Sequence, residues 1–153
     1  QKLVLTPGQN CKRYVAGALS RDGRTLVVVD ADRKNSDLFL ALLQALLTRH
    51  PTAPRIHVVL DNYKIHDSQR VRRFLEAGGE RFALHFLPPY SPDANRIERL
   101  WREVHANVTR NHRCRTMAEL WRRVSWYLRQ EARRRSRRPV PREACVLFDQ
   151  IAA

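Results

Sequence analysis

The sequence predicts a mixed α/β domain on three observations. A two-strand pattern around an Asp-Gly turn opens the chain, helical and strand-like stretches then alternate, and two amphipathic helical patterns follow. At 153 residues, 43% apolar and 8% aromatic, the chain fits one domain over residues 1–153 with a single core, and it is too apolar to be disordered throughout.

Lys12 to Leu19 and Thr25 to Asp30 read as strands joined by Ser20-Arg21-Asp22-Gly23, a hairpin signal. Ser36 is placed to cap a helix running to about Arg49, with Phe39, Leu42, Leu43, Leu46 and Leu47 as its inward stripe, and His50-Pro51 ends it. Ile56 to Leu60 is a short apolar run of the kind found in buried parallel strands, and Asp61 closes it. Asp67 or Ser68 then caps a short helix that turns Val71, Phe74 and Leu75 inward and stops at Gly78-Gly79. Phe82 to Leu87 is the next strand, and the Pro-rich stretch through Tyr90 is a stiff loop. From about Asp93 to Val108, Ile97, Leu100, Trp101, Val104 and Val108 recur at helical spacing. Thr116 with Glu119 forms a capping box that opens a last helix with Met117, Leu120, Trp121, Val124 and Leu128 inward. Helical spacing favours the core for Trp101, Trp121 and Trp126 over a role as base-stacking platforms. A basic tail occupies about residues 129–142, with Arg133, Arg134 and Arg135 at its centre.

Twenty-nine Lys and Arg against fifteen Asp and Glu give a net charge of +14, which favours polyanions because each neutralised phosphate also releases condensed counterions. Arg dominates over Lys, which suits bidentate phosphate contacts. The expected partner is therefore nucleic acid, not a membrane or a small-molecule substrate. No apolar run reaches the ~18–20 residues that span a bilayer and no secretory leader opens the chain, so the expectation is a cytoplasmic protein. Cys11, Cys114 and Cys145 form no pair at ligand spacing, and His105, His112 and Cys114 lack a fourth zinc ligand.

Two carboxylates stand out. An Asp directly after a buried strand is costly unless its carboxylate faces a cleft or binds something, and Asp61 occupies that place; its other reading is a turn residue. Glu98 flanks the apolar stripe of its helix on the same side as Arg102 and His105, where it either faces a groove or pairs with Arg102 one turn on. Two carboxylates on different elements of a basic chain suit metal-dependent phosphodiester chemistry, since Mg²⁺ takes hard oxygen ligands from one or two carboxylates plus substrate phosphate. Asn62, Lys64 and His66 follow Asp61 closely, in position to touch phosphate or to orient a ligand; their other reading is as turn and surface residues.

Two long stretches carry a family resemblance. Val58-Val59-Leu60-Asp61-Asn62-Tyr63-Lys64-Ile65-His66 resembles the second-aspartate motif of mariner-superfamily DDE transposases of the bacterial insertion-sequence branch. Leu87-Pro88-Pro89-Tyr90-Ser91-Pro92-Asp93-Ala94-Asn95-Arg96-Ile97-Glu98-Arg99-Leu100-Trp101 resembles their third-carboxylate motif, and the 36 residues between Asp61 and Glu98 suit the family's spacing. The resemblance implies a ribonuclease-H-like mixed sheet flanked by helices, and a three-carboxylate site holding two Mg²⁺ or Mn²⁺ ions. Asp61 would be the second ligand and Glu98 the third. It further implies cleavage and strand transfer at transposon ends, with transposon and target DNA as partners, a homodimer left open, and a bacterial, nucleoid-associated location. Lys64, His66, Arg102, Arg133, Arg134 and Arg135 would contact DNA, while Asn62, Tyr90 and Asn95 would support the site.

The sequence departs from the family pattern twice. Arg96 stands where a Pro is common, and nothing from Gln1 to Ser20 is acidic. The resemblance therefore implies that the first, central strand with its Asp is truncated, which leaves two rivals open: a non-catalytic DNA-binding or dimerising product, and a nuclease that cuts without joining. Asp30 also ends a strand, but two strand places from the missing one, about 10 Å away, and reads as a loop residue leading to the helix cap.

Overall fold

The computed structural model describes residues 12–88 and 95–139. In chain order these form β1 (Tyr14–Leu19), β2 (Leu26–Ala31), α1 (Ser36–Arg49), β3 (Ile56–Leu60), a 3₁₀ turn (Lys64–Asp67), α2 (Gln69–Ala77), a second 3₁₀ turn (Gly79–Arg81), β4 (Phe82–Phe86), α3 (Ile97–Val104), a π-helical turn (His105–Thr109) and α4 (Met117–Ser136). The mixed α/β order expected from the sequence is the order observed. The loop through Tyr90 and the start of the helix expected from Asp93 lie outside the described residues.

The β1–β2 hairpin is antiparallel, with Gly17 opposite Val28 and Leu19 opposite Leu26. Its turn is built by side chains as well as backbone. Gly23 takes φ +71°, and its N–H donates to the Ser20 carbonyl at 2.8 Å. The Asp22 carboxylate accepts from the Ser20 hydroxyl and from the Arg24 N–H. Those two bonds, the hydroxyl first, hold the Asp22 pKa below its usual value. β3 and β4 run parallel, Ile56 opposite Phe82 and Leu60 opposite Phe86, with α2 in the crossover between them.

Among the described residues the strands make two separate two-stranded sheets, β1–β2 and β3–β4, and not one mixed sheet. A recess of about 230 Å³ lies between them, with Ala18 and Val27 of the hairpin on one side and Ile56 and Val58 of β3 on the other. No backbone ladder joins β1 to β3, and α1 bridges the halves by packing on both.

The core is correspondingly double. Phe39, Leu43 and Leu46 of α1 pack with Leu60, Val71 and Phe82, while Ala18 and Val27 reach this cluster from the hairpin. The second cluster joins Ile97, Leu100 and Val104 of α3 to Val124 and Leu128 of α4, over Val15, Leu19, Leu26 and Val28. Alternation along β1 explains the division, since odd-numbered residues face α3 and α4 and Ala18 faces α1.

Local signals place the helices. Asn35, not Ser36, caps α1, its side chain accepting from the Leu38 N–H at 3.2 Å. Ser36 instead donates its hydroxyl to the Ile65 carbonyl at 3.3 Å, which ties the start of α1 to the turn after β3. Ser68 caps α2, and Thr116 caps α4 by accepting from the Glu119 N–H, while the Glu119 carboxylate accepts from the Arg115 N–H. Residues 129–136 of the basic tail continue α4. There Glu131 is buried and pairs with both Arg134 and Arg135 at 2.7 Å.

Trp101 and Trp121 pack against the second cluster, but Trp126 is 59% exposed, contrary to the core position expected for it. At 100° per residue Trp126 lies ~200° around α4 from the buried Val124, which turns its indole to solvent.

Candidate metal and nucleic-acid site

Asp61 lies just past the carboxyl end of β3, with its side chain 59% exposed. The loop around it is pinned from several directions. The Asn62 amide donates to the Leu87 carbonyl at 2.5 Å, and the Leu87 N–H donates to the Leu60 carbonyl at 2.8 Å, so the ends of β3 and β4 are tied beside the carboxylate. Asp61 Oδ1 accepts from the Tyr63 N–H at 3.2 Å and lies 3.1 Å from His66 Nε2. One carboxylate oxygen is thus fixed in direction, and those contacts leave Oδ2 for another partner.

His66 is poised on this carboxylate. Its side chain is 17% exposed, and its ring meets Phe39 edge-on with centroids 4.4 Å apart. Burial lowers its pKa more than the neighbouring Asp61 carboxylate raises it, so the neutral ring prevails at neutral pH. Nδ1 is buried and has no hydrogen-bond partner among the described residues, which leaves Nε2 to carry the proton and donate it towards Asp61. Lys34 stands nearby with its ammonium 4.0 Å from the centre of the Tyr63 ring. Lys34 and Phe39 belong to this site although no local pattern marked them. They reach it because the Ser36 bond brings the start of α1 onto the turn of residues 63–66.

Glu98 occupies the first turn of α3, where a carboxylate also favours the helix dipole. The Asn95 carbonyl accepts from the Glu98 N–H at 3.0 Å and so holds the beginning of this helix. Glu98 is half-buried, and among the described residues it makes no ion pair with Arg102, which is exposed; the pair formed on this helix is Arg99 with Glu103. Two contacts set where α3 lies. Gly17 of β1 lets the helix approach so closely that an added Cβ would meet Trp101 at 3.0 Å and Ile97 at 3.1 Å. Arg96, the residue standing where the family often has Pro, donates from Nη1 to the Arg21 carbonyl and anchors the helix start to the hairpin turn.

The other expected residues fall into different environments. Lys64 opens the 3₁₀ turn and is exposed, as is Arg133. The Arg134 guanidinium is engaged bidentately by Glu131. Arg135 is buried, pairs with Glu131 and reaches the Gly23 carbonyl at 3.4 Å, so it fastens α4 to the hairpin. Tyr90 lies outside the described residues. Asp30 lies inside β2 and not in a loop, 2.5 Å from Arg13. Among the described residues there is no cluster of three or more His, Cys, Asp or Glu able to hold a metal. Cys114 is buried, and the His112 ring accepts from its N–H. No helix among the described residues is long and apolar enough to cross a membrane.

A mixed α/β chain with an oriented, exposed Asp at the end of a parallel strand has its candidate centre where open α/β proteins commonly place theirs. Comparison with known proteins makes this specific. The chain belongs to the DDE superfamily endonucleases, whose family model matches residues 1–121. It is 39% identical over 128 residues to the insertion element IS630 uncharacterized 39 kDa protein of Shigella sonnei, an alignment covering 84% of this chain and 37% of that relative. The chain therefore spans little more than a third of that relative's length. No solved structure matches it.

Proposed function

We propose that this chain is the catalytic core of a DNA transposase, in which Asp61 and Glu98 help hold Mg²⁺ or Mn²⁺ for cleavage and joining at transposon ends. The observation that carries the reading is the Asp61 carboxylate, exposed at the end of β3 and oriented by His66 and the Tyr63 N–H. The donor set fits a hard divalent cation, because both proposed ligands offer carboxylate oxygen and Asp61 keeps Oδ2 clear of those two contacts. When bound, a pair of such ions supplies activation of the attacking oxygen and stabilisation of the leaving oxygen.

The chain's own groups do the positioning. His66 holds the direction of the Asp61 carboxylate, and the Asn62 bond to the Leu87 carbonyl keeps β3 and β4 from separating beside it. Gly17 and Arg96 set α3, and with it Glu98. Lys64, Arg102 and Arg133 are exposed cations for phosphate, whereas Arg135 serves packing and Arg134 is held by Glu131. The recess between β1 and β3 supports a ribonuclease-H-like sheet that becomes continuous when one further strand, bearing the first carboxylate of the set, lies between them.

Mn²⁺ titration calorimetry and plasmid nicking test this together, on the wild type, Asp61→Asn and Glu98→Gln. Weak Mn²⁺ binding is expected, lost in Asp61→Asn and reduced in Glu98→Gln, with at most slow nicking by the chain alone. Binding indifferent to both substitutions would overturn the ligand assignment. Robust nicking abolished by Glu98→Gln would show that the first ligand of the set is already present in this chain, with Asp30 the residue to test next. Joining of a labelled 3′ end to plasmid separates a transposase from a nuclease that only cuts.

A further inference from the structure

The solvent face of α4 has features that the proposed metal site does not use. Arg122, Trp126, Arg129 and Arg133 are all exposed and recur at intervals of four, three and four residues, which places them within ~60° of arc on one side of the helix. From Arg122 to its end α4 has one acidic residue, Glu131, and that is buried on the opposite side against Arg135. Trp126 is the most prominent member, with 59% of its surface in water. A large indole this exposed is uncommon on a surface unless it meets a partner.

Beside this indole lies a recess of about 370 Å³, walled by Asn107, Val108, Arg122, Arg123, Trp126 and Tyr127. The π-helical turn makes its far wall, where the Asn107 amide donates to the Glu103 carbonyl at 2.8 Å and to the Tyr127 hydroxyl at 3.4 Å. Arg123 is loosely engaged by Glu119 at 3.8 Å, and Arg122 makes no ion pair among the described residues. A flat aromatic face, guanidiniums on either side along the helix and a small recess match the two needs of an unpaired polynucleotide, stacking for its bases and cations for its phosphates. Duplex DNA meets only the second need, because its bases already stack on one another. A second copy of the chain is disfavoured as occupant, since two such arginine rows would face each other with like charge.

We propose that this face of α4 is a docking site for an unpaired DNA strand, with Trp126 as the base-stacking platform and Arg122, Arg129 and Arg133 on the phosphates. The proposal rests on the reading of the chain as a DNA-processing protein and adds to it a single-strand subsite away from Asp61.

The test is fluorescence anisotropy with a labelled oligothymidine and with a blunt duplex of equal length. It uses the wild type, Trp126→Ala, Trp126→Phe and Arg122→Ala, with circular dichroism confirming the fold of each. Trp126→Ala is expected to weaken oligothymidine binding about ten-fold, in keeping with the loss of one base–aromatic stack, while duplex binding changes less than about two-fold. Trp126→Phe should recover most of the loss, and Arg122→Ala should reduce the salt slope on both probes by about one. Unchanged oligothymidine binding by Trp126→Ala, or equal loss on both probes, would overturn the subsite while leaving duplex binding intact. So would a Trp126→Ala variant that sediments as a monomer where the wild type is a dimer and still binds oligothymidine normally. Failure of the wild type to bind either probe would instead count against the DNA reading itself.

Discussion

Substituting Gly17 with Val should loosen the seat of α3. A Cβ at this position would stand 3.0 Å from Trp101 Cζ2 and 3.1 Å from both Ile97 Cδ1 and Trp101 Cη2. Unstrained carbon contacts lie at about 3.5–4.0 Å, so even a methyl requires the facing side chains to retreat by ~0.5 Å. Valine adds two further methyls against the same wall, where Ile97 is buried and cannot swing aside. Overpacking of this kind costs about 1–3 kcal/mol. Against it stands the gain from removing a strand glycine, about 0.5–1 kcal/mol. The expected net loss is ~1–2 kcal/mol. With a urea m-value near 2 kcal/mol/M the unfolding midpoint should fall by about 0.5–1 M, read by tryptophan fluorescence. Gly17→Ala, whose two opposing terms nearly cancel, is the companion variant and should stay within ~0.5 kcal/mol of wild type. A midpoint unchanged or raised in Gly17→Val would refute the close approach of α3 to β1 as described.

Glu131→Gln should destabilise the chain by about 3 kcal/mol, because it leaves Arg135 buried without its counter-charge, and thermal melting should fall by ~6–12 °C. A melting temperature within two degrees of wild type would count against that pair as a fastening. Burial by itself would raise the Glu131 pKa, but the hydrogen bonds and charges of Arg134 and Arg135 outweigh it and hold the pKa below its ordinary value. The stability this provides is therefore complete above the ordinary Glu pKa and is lost as pH falls through the lowered one; acid titration of wild type should show that loss and Glu131→Gln should lack it. Duplex binding should weaken steeply with salt, at a log–log slope of about −0.9 per phosphate contacted, and a flat dependence in anisotropy titrations would argue against a phosphate-dominated interface.

Much of the fold was legible because its signals are local. The Asp-Gly turn, the capping box of Thr116 and Glu119, the apolar run ending at Asp61 and the stripe from Ile97 to Val104 each act within one or two turns of backbone, and each element formed where they indicated. What stayed hidden depends on contacts between distant segments. Asn35 and Ser36 are both good caps, and the choice between them turns on Ser36 finding the Ile65 carbonyl. Lys34 and Phe39 join the surroundings of Asp61 only when α1 packs on the turn after β3. Arg96 shows nothing in sequence of its bond to the Arg21 carbonyl, which lies 75 residues earlier. Arg135 sits in a basic run expected to contact DNA, yet the register of α4 turns it inward onto Glu131. Trp126 misled for the reverse reason, since aromatic character suggests burial while its angular position on the helix dictates exposure.

The doubled core has a kinetic corollary. Hydrogen exchange commonly reveals cooperative units that open separately, each roughly the reach of one contiguous set of buried contacts. Here β3, α2 and β4 form one such set, and the hairpin with α3 and α4 forms another, with α1 as the hinge plate between them. Asp61 belongs to the first unit and Glu98 to the second. Opening of the weaker unit would therefore move one carboxylate relative to the other while most of the chain stays folded, and a divalent cation, if held by both as proposed, would act as a clasp. Amides of β3 and β4 should then exchange as a group, at a rate distinct from those of β1 and β2, and should slow selectively when Mn²⁺ is added.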